Sequence, residues 1–338
     1  MRTIVVRMRG ILRIMEFMKW KVFALLPFAL TLVPIDVKAE TYPSRTVQIV
    51  VPYTPATGAD QLSRALGPRL AERWKVAVVT ENRVGASGNI GAEYVAKSAP
   101  DGHTLLCTAT AFGTNPALNR NLPFDPVKSF APVALLATSA MALLVTPQLP
   151  ARSLREFVDA VRREPGRLYY SSPGNGSPQH LAMELLKLDE RIDIVHVPYK
   201  GSGGAMADVI AGHVQAMVSS VQTSAAGVHS GRLRMLAVMG SERSAAFPEV
   251  PTMKEQGYAD FVVETWYGLF APAGTPPEVV AQLNFELNDL LKDSQLKEAI
   301  GRQGMIAAGG PPERLGELVK AELARWKRVV TAAGIKAD

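Results

Sequence analysis

The chain has 338 residues, 47% of them hydrophobic and 20% charged, the composition of a globular protein with a full core and room for two ordinary domains. Its formal charge is +6, but residues 1–39 carry +5 of it through Arg2, Arg7, Arg9, Arg13, Lys19, Lys21 and Lys38 against Glu16 and Asp36. The remainder is close to neutral, which removes the main support for a nucleic-acid-binding protein.

The first predicted element is a leader. A basic stretch ending in Lys19-Trp20-Lys21 precedes the apolar run VFALLPFALTLV, and Val37 and Ala39 supply small residues for cleavage. The run is far shorter than the roughly 20 residues of a membrane helix. We expect residues 1–39 to be a cleaved secretory signal, with Met15 or Met18 giving a start of more usual length. No cysteine lies near the cleavage site to take a lipid anchor. Cys107, the one cysteine, sits in the apolar run HTLLCTAT and reads as a small core residue. The five histidines are scattered, so neither a metal site nor a cofactor is expected.

From Tyr42 a unit of strand, polar loop and helix recurs. TVQIVVPYTPATGADQLSRALGPRLAERW gives a buried-type strand, a loop, and a helix with Leu62, Leu66 and Leu70 on one stripe. KVAVVTENRVGASGNIGAEYVAKSA repeats the unit, and GHTLLCTATAFGTNPAL begins a third. After FAPVALLATSAMALLVTP the series restarts with RLYYSSPGNGSPQHLAMELLKL, IDIVHVPYKGSGGAMADVIAGH and VQAMVSSVQTSAAGVHSG. Alternating strands and helices predict mostly parallel sheets covered on both faces, here as two similar α/β lobes. Extended runs near 138–146 and 261–271 suit connections between lobes, and a helical tail follows. We therefore expect lobe 1 to comprise 40–143 and 262–338, with lobe 2, 144–261, inserted.

Ligands of such sheets bind beyond the carboxyl ends of the strands, so two lobes place a site in the cleft between their loops. In YYSSPGNGSPQHLAMELL, Ser177 before Pro178 fits an N-cap with proline at the first helical position. Gly174 and Gly176 let backbone approach a ligand, and the helix start offers unpaired N–H groups and the positive end of its dipole. These features suit a carboxylate. In the first lobe Thr57, Gly58 and Asp60 occupy the same position, with Asp60 as a capping or bracing group. Lys200, the fixed positive charge of these loops, either reaches a bound anion or stays solvated. His180 and His196 read as packing or hydrogen-bonding residues. Trp266 and Tyr267 either line the cleft or pack the hinge.

Enzyme motifs are missing. GASGN and GNGSP have the wrong order for a nucleophile elbow, and GSGGAM lacks the third glycine of a dinucleotide fingerprint. YKGSGG reverses the lysine–serine order of a P-loop.

The segments YPSRTVQIVVPYTPATGAD, VVTENRVGASGNIGAEYVAKSAPDGHTLL, NPAL…LPFDPVKSFAPVALLA, GNGSPQHLAMELL, DIVHVPYKGSGGAMADVIAGHV and WYGLFAPAGTPPEVVAQLN closely resemble the Bug family, the extracytoplasmic solute receptors of tripartite tricarboxylate transporters. The resemblance runs from about Tyr42 to Ile335. It implies a type II periplasmic-binding-protein fold, two lobes with mixed, mostly parallel sheets and an interlobe cleft, and a small carboxylate ligand delivered to integral-membrane transporter subunits. By position it implies binding loops at Tyr53 to Asp60, with Tyr53, Thr54, Thr57, Gly58 and Asp60, and at Ser172 to His180, with Ser172, Gly174, Asn175, Gly176, Ser177 and His180. It adds Thr110, Ala111 and Phe112 after the third strand, their counterparts Ser219 and Ser220, and Lys200.

Two departures stand out. The family's first loop reads Pro-Gly-Gly-Gly-x-Asp, whereas Pro55 is followed here by Ala56, Thr57 and Gly58, which restricts the backbone and offers a hydroxyl. Many members carry an Asp where this chain has Ser219-Ser220; its absence favours plain organic acids or neutral aromatics over amine-bearing ligands. The reading is a monomeric periplasmic receptor, not an enzyme. A secreted α/β enzyme acting on a small acid, or a sensor for a signalling partner, are the alternatives.

Overall fold

A computed structural model describes residues 42–119, 121–259 and 261–335; the expected signal peptide lies outside them. The first sheet is built on β1 (Val47–Val51), whose side chains are almost wholly buried, as a continuous apolar run requires when helices cover both faces. It lies between β2 (Val78–Asn82) and β3 (Thr104–Ala109), parallel to both. The sheet continues through β9 (Glu264–Pro272), antiparallel to β3, and β4 (Phe130–Val145). Helix α1 (Gly58–Trp74) covers one face with Leu62, Leu66 and Leu70, the stripe read from the sequence, and α2 (Asn89–Ala96) follows β2. Cys107 is buried in the same core.

Helix α3 (Ala111–Leu118) leads from β3 toward β4. The sixteen residues of β4 are the structural spine. Its first part pairs with β9, and residues Met141–Val145 pair with β7 (Ala216–Ser220) in a second sheet. That sheet continues to β5 (Tyr169–Ser172) and β6 (Val195–Pro198), parallel to one another, with β5 also parallel to β7. Helices α4 (Leu154–Arg163), α5 (Pro178–Glu190), α6 (Ser202–Ala211) and α7 (Val221–His229) cover it, and β8 (Arg234–Val238) flanks β4.

Helices α8 (Pro277–Leu290) and α9 (Ser294–Arg302) and the short β10 (Ile306–Ala307) return to the first sheet. The last helix, α10 (Pro312–Ala333), serves two cores. Leu315 and Val319 pack beside Phe112, Phe130 and Phe270, while Trp326, Val329 and Val330 pack with Leu181, Leu185 and other second-sheet residues. A helix of 22 residues runs about 33 Å, so its last turns reach the other lobe's apolar face.

Candidate functional site

The strand register brings the loops of both sheets together. Ala109, at the carboxyl end of β3, pairs with Tyr267, and Tyr267 pairs with Ala137 of β4. Four residues further along β4, Met141 pairs with Ser220, the carboxyl end of β7. At about 3.3 Å per residue these ends are about 13 Å apart along the shared strand. Direct contact joins the loops as well: a Cβ on Gly176 would stand 2.5 Å from Leu118 Cδ1, at the end of α3.

In the first-lobe loop, Asp60 is a brace. Its carboxylate accepts the Ala56 N–H at 2.9 Å, the Asn82 amide at 2.9 Å and the Arg64 guanidinium at 3.0 Å. Burial pushes the Asp60 carboxyl up, but these donors outweigh it and hold the group below the ordinary carboxylate range. Asp60 is thus occupied, as a bracing group would be, and its contribution is the shape of the turn. Ala56 sits at φ +67°, the left-handed conformation that glycine adopts freely. Thr57 precedes α1 without a side-chain cap; its hydroxyl donates instead to the Thr54 carbonyl at 2.9 Å. The first N–H groups of α1 therefore keep their donors for another partner.

Several side chains predicted to meet a ligand are used internally. The Phe112 ring packs among Phe124, Phe130 and Phe270, so only its backbone is left for a ligand. Thr110 is buried, and its hydroxyl accepts the Trp266 N–H at 2.9 Å. Tyr53 shares a 2.9 Å hydrogen bond with Thr108 and accepts the Ala109 N–H; burial raises its phenol pKa to about 12. Ser219 is buried in the β4–β7 pairing. Thr54 and Ala111 remain partly or fully accessible.

The second-lobe loop follows the cap pattern read from the sequence. Ser177 Oγ accepts the His180 N–H at 3.3 Å, and His180 Nδ1 accepts the Gly176 N–H at 3.0 Å. His180 is 4% exposed and stacks on His196 with ring centroids 3.9 Å apart, so it supports the loop from below. Ser172 Oγ meets His196 Nε2 at 2.7 Å and accepts the Gly174 N–H at 3.2 Å. Burial, then His180 and Lys187, depress the His196 pKa to about 3, so the imidazole is neutral. Asn175 is exposed at the tip of the loop.

The loop after β6 is tied to this one by backbone bonds from Tyr199 to Ser172 and from Gly201 to Pro173, both at 3.0 Å. These place exposed Lys200 beside it. Helix α6 starts without a side-chain cap, and a Cβ on Gly201 or Gly203 would meet nothing within 4 Å. Ser220 caps α7 through the Thr223 N–H at 3.2 Å.

Three residues outside the selected loops, together with Tyr267, which the sequence reads as lining the cleft or packing the hinge, complete the arrangement. Asn82 and Arg64 fix Asp60, Leu118 seats on Gly176, and Tyr267 stands over Gly58, where a Cβ would lie 2.5 Å from its hydroxyl oxygen. The arginines nearby are already matched, Arg64 by Asp60 and Arg83 by Glu81 at 2.6 Å. A groove of about 520 Å³ elsewhere between the lobes, lined by Gln222, Glu264, Met305 and Arg314, includes none of the loop residues. Glu264 there is paired with Ser241, and Arg314 with the Gly309 carbonyl.

A family model described as "Tripartite tricarboxylate transporter family receptor" matches residues 62–335. Protein BugT of Bordetella pertussis is 34% identical over 302 residues, covering 89% of this chain and 93% of BugT. Among solved structures, that of R. palustris Rpa4515 with adipate aligns at 34% identity and a TM-score of 0.70, covering 87% of this chain and 99% of that one. MatC (Rpa3494) from Rhodopseudomonas palustris with bound malate aligns at 33% identity and a TM-score of 0.67, covering 86% and 100%.

Proposed function

The chain belongs to the tripartite tricarboxylate transporter receptor family and has a two-lobed periplasmic-binding-protein fold, and from that premise we propose that it captures a small organic acid in the periplasm and hands it to integral-membrane transporter subunits. The observation that carries the reading is the convergence of the carboxyl ends of β3 and β7 along β4, with uncapped helix starts after β1 and β6 of the same two sheets, at α1 in one lobe and α6 in the other. Adipate and malate in the related structures have the same chemistry, two carboxylates on a short skeleton. The proposed contacts are the backbone of Thr54 to Gly58 and Thr110 to Phe112, the turn Gly174 to Ser177, Lys200, and the Ser220 edge.

Each helix start contributes on the order of 0.3–1 kcal/mol to an anion at an exposed site, and more where water is excluded. Several such donors with ordinary hydrogen bonds reach micromolar affinity, about −8 kcal/mol. A ligand favours closure by as much as it binds the closed form better than the open one. Calorimetry against mono-, di- and tricarboxylates should give a micromolar dissociation constant for at least one. Absence of binding by every acid in the panel overturns the reading.

The Ser172–His196 contact raises an enzyme reading, because a serine hydroxyl on an imidazole is how acyl-transfer nucleophiles are activated. Two features weigh against it. Ser172 is 0% exposed, and an imidazole with a pKa of about 3 is a poor base at neutral pH. Hydrolysis of a small ester that is abolished by Ser172→Ala would restore that reading.

A further inference from the structure

Two tyrosines border the first-lobe loop, and their hydroxyls are in opposite situations. The Tyr53 hydroxyl is consumed by Thr108 and Ala109. The Tyr267 ring packs against the first-lobe core and is largely buried, yet its hydroxyl makes no hydrogen bond among the described residues. A phenol in that position retains a strong donor that a folded protein ordinarily pairs or leaves to water. Its oxygen lies over Gly58, the first residue of α1, so closely that any side chain there would collide with it.

We infer that Tyr267 is a specificity-determining residue, donating its hydroxyl to the carboxylate that docks on the start of α1; this rests on the receptor reading. The position has three consequences. A phenol and the N–H groups of α1 converge on one acceptor, which satisfies a carboxylate oxygen better than peptide groups alone. Gly58 is required at the first helical position because it leaves the ring its place. And Tyr267 is on β9, paired with Ala109 on one side and Ala137 on the other, so the contact is made by a strand held on both sides within the first sheet. The hydroxyl is fixed by a packed ring on a paired strand, which costs little ordering when the ligand arrives.

Tyr267→Phe keeps the ring and its packing and removes the donor alone. Calorimetry of the full mature chain with adipate, malate and succinate identifies an acid that the wild type binds. For that acid we expect affinity in Tyr267→Phe to fall on the order of tenfold or more, the range of a hydrogen bond to a charged acceptor, with an unchanged melting temperature. The half-amide of the same acid should lose less. In protein carrying ¹³Cζ-tyrosine, ligand should move one resonance that is missing from the variant. Wild-type-like affinity in Tyr267→Phe, or no ligand-sensitive tyrosine resonance, overturns the inference while leaving the receptor reading intact. Failure of the wild type to bind any carboxylate overturns the reading itself.

Discussion

Substituting Gly176 tests whether the two loops meet when ligand is held. Gly176 has φ +69°, where alanine costs about 1 kcal/mol through its Cβ, and this cost is paid with the lobes apart or together. The added Cβ would also stand 2.5, 3.2 and 3.5 Å from Cδ1, Cδ2 and Cγ of Leu118, against about 3.5–4.0 Å for carbon atoms at ease. Overpacking of this degree costs roughly 1–3 kcal/mol. Leu118 ends α3 of the first lobe and Gly176 belongs to the second, so parting the lobes is the direct way to relieve it. The steric term then falls on ligand binding, while the backbone term falls on stability. We expect Gly176→Ala to lower the melting temperature by about 2 °C. Its affinity for the bound acid should fall roughly five- to a hundredfold, as measured by calorimetry. Adding Leu118→Ala removes the atoms that collide and should return most of the affinity without returning the stability. Unchanged affinity in Gly176→Ala, or no recovery in the double variant, refutes the argument that this contact belongs to the closed form.

Ala56→Gly should raise the melting temperature by no more than about 1 °C, because relief of a left-handed alanine, about 1 kcal/mol, is largely offset by the roughly 0.4–1 kcal/mol of entropy given to the unfolded chain. Asp60→Asn should destabilise by roughly 1–3 kcal/mol in chemical denaturation, since it weakens the acceptor of three donors. Asp60 is held below the ordinary value, so its contribution is full above the unfolded pKa of about 3.9 and is lost as pH falls through the folded value; the variant's acid limb should be shallower. For His196 the unfolded imidazole takes a proton near pH 6.5, whereas the folded one takes it at about pH 3. Stability should therefore fall as pH drops from 6.5 toward 3, by about 1 kcal/mol at pH 5 once partial exposure is allowed for, and His196→Gln should lack that component.

Much of the architecture was legible because short apolar runs and cap residues are local signals. The run VQIVV, the Leu62, Leu66 and Leu70 stripe, and Ser177 before Pro178 each point to one local structure, and each forms it. The last helix was not legible in the same way. Leu315, Val319, Trp326, Val329 and Val330 recur at helical spacing, and that spacing is identical whether the stripe faces one core or passes from one core to another. Only the tertiary arrangement distinguishes the cases. For β4 the run near 138–146 reads as a connection between lobes, but an apolar run alone does not say that its pairing partner changes from β9 to β7 at Met141.

In the candidate site, sequence located the loops better than it chose among their side chains. A tyrosine, threonine or histidine in a loop offers a ligand something only if the fold leaves it unpaired, and Tyr53, Thr110 and His180 are spent on Thr108, Trp266 and Gly176. The replaced glycine at position 56 was visible in the sequence. That Ala56 nevertheless keeps a glycine-like φ of +67° was not, because it depends on Asp60 and, through Asn82 and Arg64, on the end of β2 and the next turn of α1.

Those braces bear on why the grip is made of peptide groups. Arg64 and Arg83 lie close to the first loop, but each is matched to a carboxylate of the chain, so neither brings a net charge to a guest. An unmatched arginine at the base of a closing cleft would have to be stripped of water in the absence of ligand, at a cost of several kcal/mol, and would hold an acid tightly once bound. Helix starts avoid both effects. Their N–H groups are aligned by the helix itself, their partial charge is modest, and the attraction is shared over several weak donors. A receptor that has to surrender its cargo is better served by many such contacts than by one ion pair, since a small parting of the lobes lengthens all of them at once. The chain's choice of Thr57, Gly58 and Gly201 at these helix starts, with Arg64 and Arg83 tied up behind them and Lys200 out at the exposed edge, is the local form of that compromise.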